Sequence, residues 1–404
     1  MAGGLSSVDF NYINDHFGDR ATGLGGAYTA ISDDPSGAYY NPAGIVFAFD
    51  NQISLSVNSY KYKHIEFEKA VPGASYEQEI SSFYPSFFGV VQTLGSIKLA
   101  FTIINMNHVS LDQDDYFSGL TINDEGTERQ AAFNINYNIN DNTLLGGISG
   151  AHFIGNSISI GISIYGFRRH IEEIQNTIFI VQYDNYTQYL INNNYTTQNI
   201  YGLLGKLGIQ VMPSDTLSIG FSIGQGYVLN HDYESQITNE VVTVGGALSD
   251  SIEFTPNAKQ DIDDDEMPLN LRLGIAWFPS KDFLLSIDLI ADIGDKYYQN
   301  DVENTFNAAI GMEYFLTRSF PIRMGFFTNL ANTPEVNASN GNEDMHVDLY
   351  GFSMSLSWQT KSSSITLAGF YQMGTGEAII SDFTPVQDVT LYTYSISLTG
   401  SAKY

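Results

Sequence analysis

The chain has 404 residues, 45 of them acidic and 17 basic, for a formal net charge of −28. That balance excludes nucleic acid as a partner, because phosphate binding needs a basic surface. It also excludes a peripheral protein held by acidic lipid headgroups. With no cysteine, disulfides, thiolate metal sites and cysteine nucleophiles are excluded too.

Charged residues make up 15% of the chain, well below the customary quarter or so. Tyr and Phe number 26 each and Gly 37. High Tyr, Phe, Gly, Ser and Asn with few Lys and Arg is the habit of outer-membrane barrels. No apolar run reaches the roughly 18 residues that a transmembrane helix needs. Met1 is followed directly by AGGLSS, so an export signal is expected to have been removed.

Near the start of the chain runs RATGLGGAYTAISDDPSGAYYNPAGI, from Arg20 to Ile45. About fifty residues precede the first convincing strand, too few for a domain with its own core. They are too rich in Gly and Ala for a lipid-facing strand. Small residues permit close packing on a wall, and Asp and Asn supply turns. The chain therefore divides into an N-terminal hatch, 1–48, expected inside a lumen, and a barrel, 49–404.

Beyond residue 50 the period is two. LSIGFSIG sets Leu217, Ile219, Phe221 and Ile223 against Ser218, Gly220, Ser222 and Gly224. LNLRLGIAW, FSMSLSW and SISIGISIY repeat the pattern. The polar face is Ser, Gly, Asn and Thr, where a soluble sandwich usually carries Lys and Glu. Small polar residues suit a crowded or wet lumen, and the apolar face meets lipid. Strands are expected near 52–60, 83–93, 96–106, 130–139, 156–168, 198–212, 215–229, 267–278, 281–293, 303–315, 319–329, 346–360, 363–374 and 388–404. That is fourteen, an even number as in bacterial single-chain barrels. The fold class is all-β: a 14-stranded antiparallel transmembrane barrel with both termini on one side. Ile158, Ile160, Leu217, Ile219, Leu271, Leu273, Met354 and Leu356 are expected to face lipid.

Short links at 94–96, 212–215, 278–281, 316–319 and 360–363 alternate with long ones at 61–82, 107–129, 169–197, 230–266 and 330–345, as periplasmic turns and outer loops do. The stretch 140–155 sits where a short turn belongs, and reads as a small turn plug or an extended strand end. Pro85 removes a ladder donor and marks either a kink in the wall or an ordinary strand start. The last strand steps back from Tyr404 by twos through Leu398 and Ile396, similar in part to the signal read by the barrel-insertion machinery.

The opening segment resembles the N-terminal signature of the FadL/TodX family of outer-membrane transport proteins, with similar signatures in the PorV-like branch. The matching residues are Gly23, Gly25, Gly26, Asp33, Asp34, Asn41, Pro42 and Ala43. The resemblance implies a fourteen-stranded barrel plugged by a hatch in which these residues act in gating. It implies passive uptake of hydrophobic molecules, long-chain fatty acids or aromatic hydrocarbons, that leave through a lateral gap at a kinked strand. The alternative is a PorV-like barrel that scaffolds or shuttles partner proteins.

No enzyme chemistry emerges. The Gly-rich stretch lacks phosphate-loop spacing, and none of the seven histidines sits in a G-x-S-x-G or H-E-x-x-H context. His231 and Asp232 are adjacent on a strand and point to opposite faces. DIDDDE, 261–266, lacks the Gly and terminal Glu of a calcium hand and reads as a solvated acidic loop or a loose cation site. Catalytic residues, metal and cofactor are each expected to be absent. Lys98, Lys206, Arg272 and Arg323 have lumen parity, as do Asp288, Asp292, Glu313, Ile104, Leu204, Ile290 and Phe327. Paired charges lining a wet lumen explain the charged residues, as does a ligand site in which a cation meets a carboxylate; the apolar ones line a greasy path or pack against the hatch. The ligand candidates are Arg272, Arg323, Lys206, Phe327 and Leu204. The expected partners are the bilayer, a hydrophobic small molecule or detergent, and the insertion machinery, with the barrel acting as a monomer.

Overall fold

The fold is that of a computed structural model, which describes residues 10–245, 250–261, 267–294, 296–297, 300–337, 345–380 and 386–404. Fourteen strands close into one antiparallel ring. They are β1 (Gln52–Val71), β2 (Ala74–Leu94), β3 (Ile97–Asp124), β4 (Thr127–Ile154), β5 (Ile158–Gln182), β6 (Thr187–Ser214), β7 (Leu217–Val244), β8 (Leu269–Ser280), β9 (Phe283–Ile293), β10 (Thr305–Thr317), β11 (Phe320–Asn329), β12 (Leu349–Gln359), β13 (Ser363–Ala378) and β14 (Gln387–Lys403). Each strand pairs with its sequence neighbour, and β14 returns to β1 from Lys403↔Gln52 to Val389↔Phe67. Closure removes the free edges that an open sheet would expose to lipid.

The side-chain parity is that of a barrel in lipid. Ile158, Ile160, Leu273, Met354 and Leu356 are exposed, while Ser159, Ser218, Arg272, Ser353 and Ser355 beside them are buried. Leu217, Ile219 and Leu271 share the outward parity and are partly exposed. Trp277 and Trp358 also face outward.

The wall is uneven in height. β8 to β12 have 10 to 13 residues, close to a membrane crossing, whereas β3, β4, β6 and β7 each have 28. A tilted strand needs only about 9–11 residues to cross, so the surplus stands above the membrane as continuous hairpins. This corrects the long outer loops expected at 61–82, 107–129 and 169–197. Those stretches are strand except for tight turns at 72–73 and 125–126 and the link 183–186. Outside lipid a strand need not be apolar on its outer face, so the Asn, Thr and Gln of 187–199 looked like loop. Residues Ser251–Asp261 add one further strand beside the upper part of β7.

A second correction concerns 140–155. It is the membrane-level part of β4, pairing with β3 and β5, and the expected strand 130–139 lies in the raised extension. Gly146 and Gly150 occupy outward positions between Leu144 and Ile148 and beyond it, which thinned the apolar signal. In the acidic stretch 261–266, residues 262–266 lie outside the described residues.

Candidate functional site

The N-terminal segment meets the inward face of the wall at its small residues. A Cβ on Gly161, Gly208, Gly220 or Gly325 would overlap Pro42, Asn41, Thr29 or Leu24 respectively, so glycine there lets two backbones touch. Serines between them donate to carbonyls of the segment: Ser163 to Ala38 at 2.7 Å, Ser218 to Ala30 at 2.7 Å, Ser222 to Tyr40 at 2.8 Å and Ser159 to Ala43 at 2.9 Å. The alternating Ser-Gly face is thus a surface for holding a chain that has little regular structure of its own. Unpaired buried backbone groups are costly, and these serines satisfy them.

Within the segment, Asn41 caps the 3₁₀ turn Pro42–Phe47, its Oδ1 accepting from Ala43 N–H at 3.1 Å. Its Nδ2 donates to Thr29 O at 2.9 Å and to Ile209 O on β6 at 3.2 Å. Pro42 opens that turn, where a missing N–H costs nothing. Gly25 and Gly26 have φ of 64° and 82°, a region that a side chain disfavours. Gly23 lies against Ser355, where no Cβ fits.

Charges fasten the same segment. Arg20 reaches Asp33 and forks onto Glu313, with Nη2–Oε1 at 2.7 Å and Nε–Oε2 at 3.1 Å. Glu313 also pairs with Arg323 at 2.5 Å. Tyr28 and Thr29 amides donate to Asp288 Oδ2 at 3.0 and 2.8 Å. Asp34 accepts from Ser36 N–H at 2.7 Å. Desolvation, with Asp19 adding repulsion, raises its pKa to about 7.

Above this level the wall parts. β2 and β3 pair only from Leu94↔Ile97 to Phe87↔Ile104. Beyond that, among the described residues, the two strands share no ladder, though β2 stays with β1 and β3 with β4. Three irregularities lie at this height. β2 carries one extra residue at Pro85–Phe87, where inward parity changes from even to odd numbers. β3 changes at Asn105–Asn107 and β1 at Asn58–Lys61. A bulge bends a strand and re-aims its side chains, and Pro85 cannot donate to a ladder. The parting starts eight residues above the 95–96 turn. A crossing takes about 9–11 residues, so its lower end lies within the outer half of the membrane. Tyr84 and His108 rings bridge it at 5.0 Å, and Gln113 Nε2 donates to Glu77 O near its top at 2.5 Å.

A cavity of about 130 Å³ lies beside the parting. Ile80 and Ser82 of β2 and His108 and Leu111 of β3 line it on that side. Phe10 and Asn14 of the N-terminal segment, with Ile65, Leu349 and Leu391, line it elsewhere. Lys61 and Lys63 face it from β1: Lys61 Nζ donates to Asn14 O at 2.8 Å, and Lys63 Nζ lies 5.2 Å from the Phe10 ring centre.

The residues read from the sequence as ligand candidates fall elsewhere in the lumen. Arg272 and Phe327 border a smaller cavity of about 20 Å³ beneath Tyr12, His16 and Tyr39. Lys206 is buried with Nζ 4.2 Å from the Tyr39 ring centre, and Leu204 packs with Phe17 and Tyr165. Arg323 is engaged by Glu313 and by Ser357 Oγ at 2.6 Å. Lys98 holds Ala48 O and Asp50. His231 is buried and meets Gln198 at 3.0 Å, while Asp232 is exposed on the other face. The cavity residues on β1 were missed because 61–82 was read as loop. The signal was present in KHIEFEK, where Ile65 and Phe67 alternate with Glu66 and Glu68.

No family model matches the chain, and no curated protein does. Solved structures do. The Pseudomonas putida toluene transporter TodX superposes with a TM-score of 0.64 at 13% identity, over 97% of this chain and 99% of that one. A Pseudomonas aeruginosa FadL homologue gives 0.63 at 13%, over 97% and 99%. The Ralstonia pickettii toluene transporter TbuX gives 0.62 at 14%, over 98% and 100%. Likeness along nearly the whole of both chains, at so low an identity, is a likeness of fold: this chain has the fourteen-stranded antiparallel barrel fold of the FadL and TodX structures.

Proposed function

We propose that the protein is an outer-membrane channel for passive uptake of hydrophobic small molecules. The observation that carries this reading is the cavity itself, lined by Phe10 and apolar strand residues together with polar ones, and bordered by both strands of the parting. A molecule reaching it from outside has an apolar resting place and a sideways route into the outer leaflet, avoiding the occupied lower lumen. The N-terminal segment acts as a hatch, with Gly23, Gly25, Gly26, Asp33, Asp34, Asn41, Pro42 and Ala43 fixing its path. Arg272 and Phe327, which border the smaller cavity, form a second, inner stage with Lys206 and Leu204 behind Tyr39 and Phe17. Arg323 serves there as a fastening of the hatch. The size of the cavity beside the parting, about 130 Å³, favours single-ring aromatic molecules, since a cavity of about 150 Å³ is known to hold benzene. The fold of the named transporters, which carry toluene, agrees with that substrate class.

The test is uptake of labelled toluene and of a long-chain fatty acid by cells or vesicles carrying the protein, with insertion checked by heat-modifiable gel mobility. Deleting Ser86 removes the extra residue of the β2 bulge and lets β2 continue its ladder with β3. Uptake is expected to fall while insertion stays normal. Wild-type protein that moves no member of a broad hydrophobic panel overturns the proposal.

A further inference from the structure

The cavity is not uniformly greasy. On its β13–β14–β1 side three polar residues lie in one row: Gln372 is the register partner of Thr393, and Thr393 that of Lys63. All three line the cavity. Neighbouring strands are about 4.8 Å apart, so the long Gln372 and Lys63 side chains can converge over Thr393. The Gln372 side chain is 6% exposed, and its Oε1 is buried with no hydrogen-bond partner. A buried acceptor without a partner is costly and calls for a donor, and this one belongs to a residue that lines the cavity.

Resting on the channel reading above, we infer that this row selects a hydrophobic molecule bearing a hydroxyl, of the phenol type, over the bare hydrocarbon. One hydroxyl does both tasks the row sets. Its hydrogen goes to Gln372 Oε1, and its oxygen accepts from Lys63 or Thr393. The ring then lies among Phe10, Ile65, Leu349 and Leu391. A bare hydrocarbon of the same shape offers the row no hydrogen bond, and sites built around a hydroxyl discriminate strongly against the analogue that lacks it. A carboxylate brings only acceptors to the acceptor Gln372 Oε1.

The experiment uses the full chain in lipid nanodiscs, titrated calorimetrically with toluene, p-cresol and 4-methylbenzoate. Wild type is expected to bind p-cresol at least ~10-fold more tightly than toluene, about 1.4 kcal/mol, and more tightly than 4-methylbenzoate. Gln372→Leu is expected to bring p-cresol and toluene within ~3-fold, whereas Gln372→Glu, which keeps an acceptor, retains the preference. Heat-modifiable mobility confirms that each variant is folded. Equal binding of toluene and p-cresol, tightest binding of 4-methylbenzoate, or a preference that survives Gln372→Leu overturns the inference and leaves the channel standing. Failure of all three probes to bind wild type overturns the channel reading, and this inference with it.

Discussion

Gly208 sits where β6 passes the Asn41 turn, and an added Cβ would overlap Asn41 Oδ1 and come within 3.0 Å of Ala43 N and Pro42 Cδ. Gly208→Ala therefore cannot coexist with the present position of Asn41. The Asn41 side chain makes three hydrogen bonds, to Thr29 O, to Ile209 O and from Ala43 N–H. Each is worth about 0.5–1.5 kcal/mol net, so displacing the turn costs about 2–4 kcal/mol. The wall ladder is untouched, since Gly208 pairs through its backbone with Gly161 and Ser222. The control is Gly205→Ala on the same strand, where a Cβ meets nothing within 4 Å. Hydrogen exchange read by mass spectrometry on peptides covering 38–48 is the assay. Amide protection there is expected to fall at least ~30-fold in Gly208→Ala, the factor for about 2 kcal/mol. Peptides of the membrane-level wall, and the whole of Gly205→Ala, are expected to match wild type. Unchanged protection in Gly208→Ala, or equal loss in Gly205→Ala, refutes the idea that wall glycines seat the segment.

Ile219→Arg places a charge on the lipid side of β7 and is expected to cost roughly 2–4 kcal/mol, read as a lower urea midpoint for folding into vesicles; Ser214→Arg at the turn should cost far less. Asn41→Ala removes the cap and both donor contacts and is expected to loosen the N-terminal segment by roughly 2–4 kcal/mol and alter uptake, with normal insertion by gel mobility. Asp34 has a folded pKa raised to about 7, so its packing is most favourable when protonated. Its contribution is fully present below the ordinary carboxylate range and is lost as pH rises towards and through 7. Exchange protection of 28–40 is therefore expected to be higher at pH 5 than at pH 8, and Asp34→Asn should flatten that difference.

Alternation alone decided much of this protein. In LSIGFSIG the period of two fixes which residues meet lipid, because a strand allows only two faces and the bilayer accepts only one of them. The number of wall strands follows from counting such runs between turns. The same pattern contained the surface that holds the N-terminal segment, since Ser218, Gly220 and Ser222 are the residues that touch Ala30, Thr29 and Tyr40. What the pattern lacked was height. Above the membrane the outward face no longer has to be apolar, so strand and loop look alike in 107–142 and 187–199. Tertiary structure alone decided the rest. Pro85 in isolation is ambiguous, and becomes a parting of the wall only because β1 and β3 change parity at the same level. Arg323 is a lumen cation by parity, and only the fold sets Glu313 and Arg20 beside it. Gln372, Thr393 and Lys63 are more than three hundred residues apart at the extremes. They form one row because the barrel closes β14 onto β1, and no local pattern encodes which strands a closed ring brings together.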